Sequence, residues 1–407
     1  MSSPQKTALF LTGGGARAAY QAGVLQAIFS LLSETGWASR KNPFDIVCGT
    51  SAGAINAAAF ACRADDFGDS VTQLLQTWRQ LEVEQVYRAD SIGVIRSGAR
   101  WLSLLSFGWL LRKWHTSPPM SLLDNSPLVG LLHKMLDLPR LDAALDAGHL
   151  TALAVSASSY TAGRHVTFYQ SGPEIPPWRR AQRMSIPQQI GVDHLLASSA
   201  IPLIFPAIPL YCADRCEYFG DGSLREVAPI SPAIHLGASK VLVIGSGNIA
   251  GPDRSFSEFS GYPSLAQVAG HALSSIFLDG LSVDLERMSR INSTLSLLTP
   301  EQLMQTTLRP VRMLAITPSQ PLDNIASQHV GSLPVSIRAL LSTIGATERR
   351  GAALASYLLF ESSYTRSLIE LGQIDTLSRR DEVLAFFDVN SMKKEDFIKN
   401  KLLAELH

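Results

Sequence analysis

The stretch FDIVCGTSAGAIN (residues 44–56) places a serine between two glycines, after a short apolar run and before a string of small helix-forming residues. The apolar run predicts a buried strand over residues 44–49, and the small residues predict a helix over residues 51–62. Ser51 therefore falls at the turn that joins a strand to a helix. Two interpretations remain open from this stretch: Ser51 is a nucleophile raised at a sharp turn, or it caps an ordinary helix.

The same succession of strand and helix occurs once earlier in the chain. TALFLT (residues 7–12) is typical of a buried strand, and residues 17–35 carry the periodicity of a helix. Two successive strand–helix units predict that their strands pair in parallel. Further apolar runs at residues 152–158, 240–247 and 311–317 predict more strands. We therefore expect an α/β protein.

The composition predicts one large globular domain with appendages. The chain has 407 residues, of which 46% are hydrophobic and 17% are charged, so it can bury a sizeable core. Proline and glycine cluster at residues 251–263, which indicates a boundary. We expect a main domain over residues 7–250 and a mostly helical extension over residues 264–390 packed on it. A charged tail over residues 391–407 would follow.

The balance of charge excludes a large basic surface of the kind that binds nucleic acid, because 35 basic and 35 acidic residues cancel. The N-terminus has only four consecutive apolar residues before its glycines, too few for the apolar core of a secretory signal. Four cysteines are too sparse for a disulfide framework. We therefore expect a cytoplasmic protein with free thiols and with no metal ion.

Two segments favour contact with a membrane surface, although no segment reaches the roughly 18 apolar residues of a membrane span. WLSLLSFGWLLRKW (residues 101–114) has tryptophans and flanking basic residues that suit a helix lying in the membrane interface. A buried helix or a lid is the alternative. Arg179, Arg180 and Arg183 suit a phosphate headgroup or an anionic membrane, or else they form a solvated loop. If residues 101–114 lie in the membrane interface, or if the three arginines bind an anionic membrane, the protein would be peripheral at the inner membrane surface.

Three glycines, Gly13, Gly14 and Gly15, stand between the first predicted strand and its helix. Amide groups at such a turn lack internal partners and are suited to hold an anion. A dinucleotide pyrophosphate is one candidate, but the second strand ends without the acidic residue that would bind its ribose. The oxyanion of an acyl-transfer intermediate is the other candidate. The ends of adjacent parallel strands meet at one sheet edge, which would bring this loop beside Ser51.

A serine nucleophile needs a base, and Asp221 is the candidate. The histidines that follow Ser51 do not occur after a strand in a glycine-rich turn, whereas Asp221 and Gly222 end a short aromatic run. Such a turn would hold a carboxylate at a sheet edge while Gly222 adopts an unusual dihedral angle. A plain Asp-Gly hairpin is the alternative. An aspartate with a pKa near 3.9 is a poor base at neutral pH, so burial would have to raise that pKa.

Together these motifs resemble those of the patatin-like phospholipases, especially the bacterial members. The resemblance lies in GGGARAAYQAGVL (residues 13–25), GTSAG (residues 49–53) and DGS (residues 221–223), in this order. It also includes HLLASSAIPLIFPAI (residues 194–208), so it covers residues 7–250. The family has a three-layer α/β/α sandwich with a mainly parallel sheet and a serine–aspartate dyad. The resemblance implies this fold here, with a helical C-terminal extension.

The resemblance also implies a role for each motif residue. Ser51 would be the nucleophile, Asp221 its base, and the Gly14 and Gly15 amides the oxyanion hole. Arg17 would lie at the oxyanion hole as electrostatic or structural support. The supporting glycines would be Gly13, Gly49, Gly53 and Gly222. Ser223 departs from the glycine or alanine usual in the family, which affects the expected substrate preference more than catalysis.

The function implied is that of a lipid acyl hydrolase of the phospholipase A type, which needs no cofactor and acts on a phospholipid or another acyl ester. A lysophospholipase or a general carboxylesterase would use the same dyad. A lipid-binding protein without activity is a third alternative, although such a protein has no need for Ser51, Asp221 and the glycine loop together. The acyl chain would require an apolar trough, for which residues 200–210 and 101–114 are the candidate walls or lid.

Overall fold

The computed structural model describes residues 5–89, 121–212, 215–248, 264–343, 345–346 and 351–389. The strands are β1 (Lys6–Leu11), β2 (Ile46–Thr50), β3 (Ala152–Ser159), β4 (Arg164–Ser171), β5 (Arg179–Arg180), β6 (Arg183–Pro187), β7 (Ile208–Cys212), β8 (Arg215–Asp221), β9 (Ala238–Ile244) and β10 (Arg312–Ile316). They form one sheet in the order β10-β9-β1-β2-β3-β4-β6-β5, and β8 pairs with both β3 and β7.

The helices cover both faces of this sheet. They are α1 (Ala19–Glu34), α2 (Ala52–Ala61), α3 (Phe67–Arg79), α4 (Ser126–Met135), α5 (Leu138–Asp146), α6 (Val192–Ser198), α7 (Ser231–His235), α8 (Leu265–Ser274), α9 (Gly280–Leu295), α10 (Pro300–Met304), α11 (Leu322–His329), α12 (Val335–Thr343), α13 (Ala352–Leu358), α14 (Ser362–Ser378) and α15 (Arg380–Phe386). A π-helical turn, Ser275–Asp279, joins α8 to α9, and a 3-10 turn, Gly15–Ala18, precedes α1.

The parallel centre of the sheet confirms the fold predicted from the sequence. Strands β10, β9, β1, β2 and β3 are parallel neighbours. Leu11 pairs with Gly49, so the glycine loop and Ser51 both follow the same edge of the sheet. Three additional strands run antiparallel to their partners: β4 and β8 each pair with β3, and β7 pairs with β8. These strands mix polar and apolar residues, so no continuous apolar run marks them in the sequence.

Alternating side chains of the central strands enter two separate cores, one on each face. Leu9 and Leu11 of β1 belong to the core beneath α1 and α2, and Ala8 and Phe10 belong to the core beneath α7 and α9. This alternation is the period of two that a strand imposes on its side chains. The result is a three-layer α/β/α sandwich.

The C-terminal helices pack directly on the first helix of the chain. A Cβ atom at Gly23 of α1 would lie 2.0 Å from the carbonyl oxygen of Ile369 in α14. A Cβ atom at Gly372 would in turn lie 2.4 Å from the carbonyl oxygen of Tyr20. Glycine at both positions therefore allows the two backbones to approach closely. The Tyr20 hydroxyl, which donates to Asp375 at 2.9 Å, also joins these helices.

The mostly helical extension predicted over residues 264–390 contains two stretches with helical periodicity, and both are interrupted in the structure. The periodic stretch 267–288 is divided by the π-helical turn, and the stretch 353–371 is divided between α13 and α14. The second interruption places Phe360 between the helices, where its ring contacts Tyr87 edge to face. An apolar residue in a helical period gives no sign that it lies in a break, so the pattern alone could not reveal this.

Several predicted features lie outside the described residues, namely the segment 101–114, the boundary at 251–263 and the tail 391–407. Across the part of the chain that is described, no helix combines the length and the apolar character needed to cross a membrane. All four cysteines are free thiols, as predicted; Cys216 is exposed and the other three are buried.

Candidate active site

Ser51 occupies a strained turn between β2 and α2. Its backbone has φ 57° and ψ −133°, a conformation that side-chain-bearing residues rarely adopt. A Cβ atom at Gly49 would lie 2.4 Å from the Gly53 carbonyl oxygen, and one at Gly53 would lie 2.3 Å from the Leu11 carbonyl oxygen. The two glycines therefore let α2 start directly against the ends of β1 and β2. The Ser51 amide donates to the Ser198 hydroxyl at 2.9 Å, which helps hold the turn.

The Ser51 hydroxyl is bonded to a carboxylate rather than to its own helix. It does not cap α2, and its Oγ atom donates to Oδ2 of Asp221 at 2.5 Å. The two side chains are 170 positions apart in sequence and both are buried, Ser51 being 1% exposed and Asp221 fully enclosed. Of the two interpretations left open by the sequence, this contact favours the nucleophile over the helix cap.

Asp221 reaches this position because β8 extends the sheet beyond the end of β2. Asp221 pairs with Ala157 of β3 and is followed by a 3-10 turn, so it does not lie in a hairpin. Its second oxygen, Oδ1, accepts the Ser223 amide at 2.9 Å. Gly222 does not have a positive φ, so it lacks the unusual dihedral angle that we expected. Glycine is required there for space, because a Cβ atom would lie 2.3 Å from the Ser156 carbonyl oxygen.

Burial raises the pKa of Asp221 to about 7, because the charged carboxylate has lost its contact with water. The hydrogen bonds from Ser51 and from the Ser223 amide stabilise the charged form and partly offset this rise, while the nearby Glu226 adds to it. Thr50 of β2 holds Glu226 through a hydrogen bond of 2.6 Å from its hydroxyl to Oε1. A carboxylate with a pKa near 7 can both accept and return a proton at neutral pH.

The glycine loop presents two unused amide donors next to Ser51. Gly14 (φ 156°) and Gly15 (φ 55°) both have backbone angles that favour glycine, and Gly15 lines the same cleft as Ser51. Within the described part of the chain, neither the Gly14 nor the Gly15 amide donates a hydrogen bond. Gly13 also has little space, since a Cβ atom there would lie 2.5 Å from the Ser223 hydroxyl. Preorganised donors of this kind can bind a developing oxyanion.

Arg17 faces away from this cleft and toward the C-terminal helices. Its guanidinium donates to the Ser356 hydroxyl at 2.7 Å and to Asp323 at 2.5 Å, and it lies 3.9 Å above the Tyr357 ring. The side chain is buried, and Arg17 is not among the residues that line the cleft. Of the two roles that the resemblance implied for Arg17 at the oxyanion hole, electrostatic or structural support, these contacts favour structural support.

Replacing Arg17 with alanine is expected to lower the free energy of unfolding by roughly 2–4 kcal/mol, because Ser356 and the half-exposed Asp323 lose a buried partner. Urea denaturation of the variant beside Arg338→Ala would measure this loss, because the Arg338 side chain donates, among the described residues, to the Gly331 carbonyl alone. Wild-type stability combined with a large fall in kcat would instead place Arg17 in the catalytic machinery.

The cleft that opens onto Ser51 has an almost entirely apolar wall. Its apolar side chains come from α2, α3, α4 and three connecting segments of the chain. They include Ile55, Trp78, Leu81, Val86, Leu128, Leu131, Met135, Ile201, Phe205 and Phe360. Ile201 and Phe205 belong to the predicted wall at residues 200–210, whereas Phe360 shows that the C-terminal region also contributes. An apolar cleft that contains a serine hydroxyl suits the acyl chain of an ester.

Sequence reasoning missed the residues that support the pair. Ser198 accepts the Ser51 amide and donates to the Ser156 carbonyl oxygen at 2.6 Å, so it ties three segments together. In the sequence, Ser198 is marked only by its place in the stretch 194–208, where it is one of two adjacent serines. Among the described residues, no group of three or more histidine, cysteine, aspartate or glutamate side chains is arranged to hold a metal ion.

The chain belongs to the patatin-like phospholipase family, because residues 9–234, more than half of its length, match the family's sequence model. A curated relative, the uncharacterized protein YjjU of Escherichia coli K12, is 29% identical over 119 residues. That match spans 29% of this chain and 28% of the length of YjjU.

Two solved structures are also similar to the chain. VipD from Legionella pneumophila is 16% identical with a TM-score of 0.28, over 91% of this chain and 67% of VipD. The type III effector protein ExoU of Pseudomonas aeruginosa is 15% identical with a TM-score of 0.26, over 88% of this chain and 78% of ExoU.

Proposed function

We propose that the protein hydrolyses acyl esters of lipids, as a phospholipase of the A type, through an acyl intermediate on Ser51. The observation that carries this proposal is the 2.5 Å hydrogen bond between Ser51 and Asp221 at the base of an apolar cleft. Family membership supports the lipid substrate class.

The reaction proceeds in two steps on these residues. Asp221 takes the proton of the Ser51 hydroxyl as Oγ attacks the ester carbonyl carbon, and the oxyanion binds the Gly14 and Gly15 amides. The bond to the alkoxy oxygen then breaks, and Asp221 returns the proton to the departing alcohol. Water attacks the acyl-enzyme, giving its proton to Asp221, and Ser51 recovers a proton as the fatty acid leaves. The start of α2 at Ser51 also favours the negative charge that develops there.

Three alternatives on the same site are distinguished by substrate. Turnover of diacyl phospholipid vesicles, lysophospholipids and short soluble esters by the purified protein separates a phospholipase from a lysophospholipase or a general carboxylesterase. The extended apolar wall favours long acyl chains over short ones. Absence of turnover on all three classes would support the lipid-binding protein without activity. We propose that the protein acts in the cytoplasm.

We also propose that residues 264–389 form one structural unit with the hydrolase region, because Phe360 lines the cleft of that region.

The pH dependence of hydrolysis should follow the ionisation of Asp221, whose pKa is about 7. Only the charged form of Asp221 accepts the Ser51 proton, so kcat/KM is expected to fall about tenfold for each pH unit well below 7 and to level off above it. Measurement with an uncharged ester between pH 5 and 9 checks this. A rate that stays flat between pH 5 and 8 would mean that Asp221 is not the base.

A further inference from the structure

A group of arginines with few acidic partners lies at one edge of the sheet. Arg179 and Arg180 form the terminal strand β5, and Arg180 pairs directly with Arg183 of β6. Arg179 and Arg180 are exposed, whereas Arg183 is partly covered and its buried Nε atom has no hydrogen-bond partner. The segment is therefore an ordered hairpin that holds three positive charges together, and not a solvated loop.

Two arginines from distant parts of the chain join this hairpin. Arg309 donates to the carbonyl oxygens of Ile234 and Gly237, at 2.8 and 3.3 Å, and so lies at the C-terminal end of α7. Burial lowers the pKa of Arg183; the nearby Asp284 raises it in part, and Arg287 of α9 lies close enough for its positive charge to lower it again. We define the arginine cluster as Arg179, Arg180, Arg183, Arg287 and Arg309.

A stack of aromatic rings lies beside the arginine cluster, because Trp178 directly precedes Arg179 in β5. The Trp178 ring stacks on His235 at 4.9 Å and on Tyr169 at 5.3 Å. Burial and, to a smaller extent, the positive charges of Arg180, Arg183 and Arg309 together lower the pKa of His235 to about 4. His235 is therefore neutral at pH 7, and the three charged groups that lower its pKa are all arginines of the cluster.

One buried carboxylate, Asp284, offsets part of the positive charge of the arginine cluster through Arg287 and Arg183. Asp284 forms a 3.1 Å ion pair with Arg287 and also accepts the Ile230 amide, so its charge is already shared. In the ranges that the structure describes, the other four arginines of the cluster form no ion pair with a carboxylate. The chain as a whole has no net charge, so this excess is local. Like charges held together repel one another unless an anion binds between them.

We propose that the arginine cluster binds the phosphate groups of an anionic lipid bilayer and so places the protein on a membrane surface. Arginine is suited to this task because its planar guanidinium donates two hydrogen bonds to one phosphate. Arg183 pairs with His165, which pairs with Ser158 beside Asp221. The backbone of Arg183 thus lies three strand spacings, roughly 14 Å, from that of Gly220, which directly precedes Asp221. Binding does not require Ser51, so the proposal is independent of the hydrolase activity.

The test is co-flotation of Ser51→Ala protein with vesicles, in which the substitution prevents turnover of the lipid. We expect binding to vesicles that contain 40% phosphatidylglycerol, little binding to pure phosphatidylcholine, and a steep loss on raising the salt concentration. Adding Arg179→Glu and Arg180→Glu should lower the partition coefficient by at least about 25-fold, since each basic residue near such a surface contributes roughly fivefold.

The matched control reverses an equally exposed adjacent pair elsewhere, Arg40→Glu with Lys41→Glu, and should retain binding. Circular dichroism and thermal melting establish that each variant is folded, and Arg179→Gln with Arg180→Gln repeats the test with a milder change. Equal loss in both charge-reversed pairs, no loss in either, or no binding of the parent protein to anionic vesicles would overturn the proposal. The proposal would also be overturned if Arg179→Glu with Arg180→Glu lost affinity for glycerol phosphate in solution but still bound vesicles, because the cluster would then bind a soluble phosphate instead of the bilayer.

Discussion

Replacing Ser51 with alanine is expected to lower the rate of lipid ester hydrolysis by at least about 10⁴-fold, because the oxygen that attacks the ester is removed. The remaining activity would come from the amide donors and from binding alone. Initial rates on phospholipid vesicles and on a soluble ester, compared with the wild-type protein, measure the loss.

The matched control is Ser199→Ala. Ser199 lines the same cleft, but its hydroxyl donates to the Leu195 carbonyl oxygen at 2.7 Å and does not contact Asp221. This variant should keep most of the wild-type rate. If Ser51→Ala remains as active as Ser199→Ala, another residue must supply the nucleophile and the proposed mechanism is wrong.

Replacing Asp221 with asparagine is expected to lower kcat by about 10²- to 10⁴-fold, because the amide cannot accept the Ser51 proton. The loss should appear in kcat more than in KM, since Asp221 is enclosed behind Ser51 and does not line the cleft. Asp284→Asn is a suitable control, because Asp284 is also a buried carboxylate but binds Arg287 and the Ile230 amide instead of Ser51.

Asp221→Asn is also expected to make the folded protein more stable at pH 8. The pKa of Asp221 rises from 3.8 in the unfolded chain to about 7 in the folded protein. Between these values the folded state holds a proton that the unfolded state has lost, so stability declines as the pH rises through that window. Asparagine removes this cost, which amounts to up to about 4 kcal/mol at pH 8 and vanishes below about pH 4.

Denaturant unfolding of wild type and Asp221→Asn at pH 8 and at pH 4 tests this. A variant that is inactive and more stable only at the higher pH supports an enclosed carboxylate held at the site for its chemistry. A variant that is less stable at both values would indicate that Asp221 serves mainly to hold the turn together.

The centre of the fold could be predicted because its signals are local. β1, α1, β2 and α2 each carry their own apolar pattern, and the glycines around Ser51 mark the turn between β2 and α2. Asp221 could be suggested because an aspartate followed by a glycine after an aromatic run indicates a turn at a strand end. Its bond to Ser51 depends on the antiparallel pairing of β8 with β3, which no local pattern specified.

The surroundings of the site could not be predicted because they depend on contacts between distant segments. Arg17 follows the glycine loop in sequence, yet Ser356 and Asp323, more than 300 positions away, determine where its side chain points. Phe360 reaches the cleft only because the chain breaks between α13 and α14. The pKa of Asp221 likewise depends on its complete enclosure, and composition carries no information on the enclosure of a single side chain.

The most direct test of the proposed nucleophile–base pair uses a fluorophosphonate ester. It identifies the residue that the ester modifies and measures the rate of that modification. We expect peptide mass spectrometry to find one adduct, on Ser51, and the rate of its formation to fall at least about 100-fold in Asp221→Asn. An adduct on a different residue, or equal rates in wild type and Asp221→Asn, would contradict the proposed site.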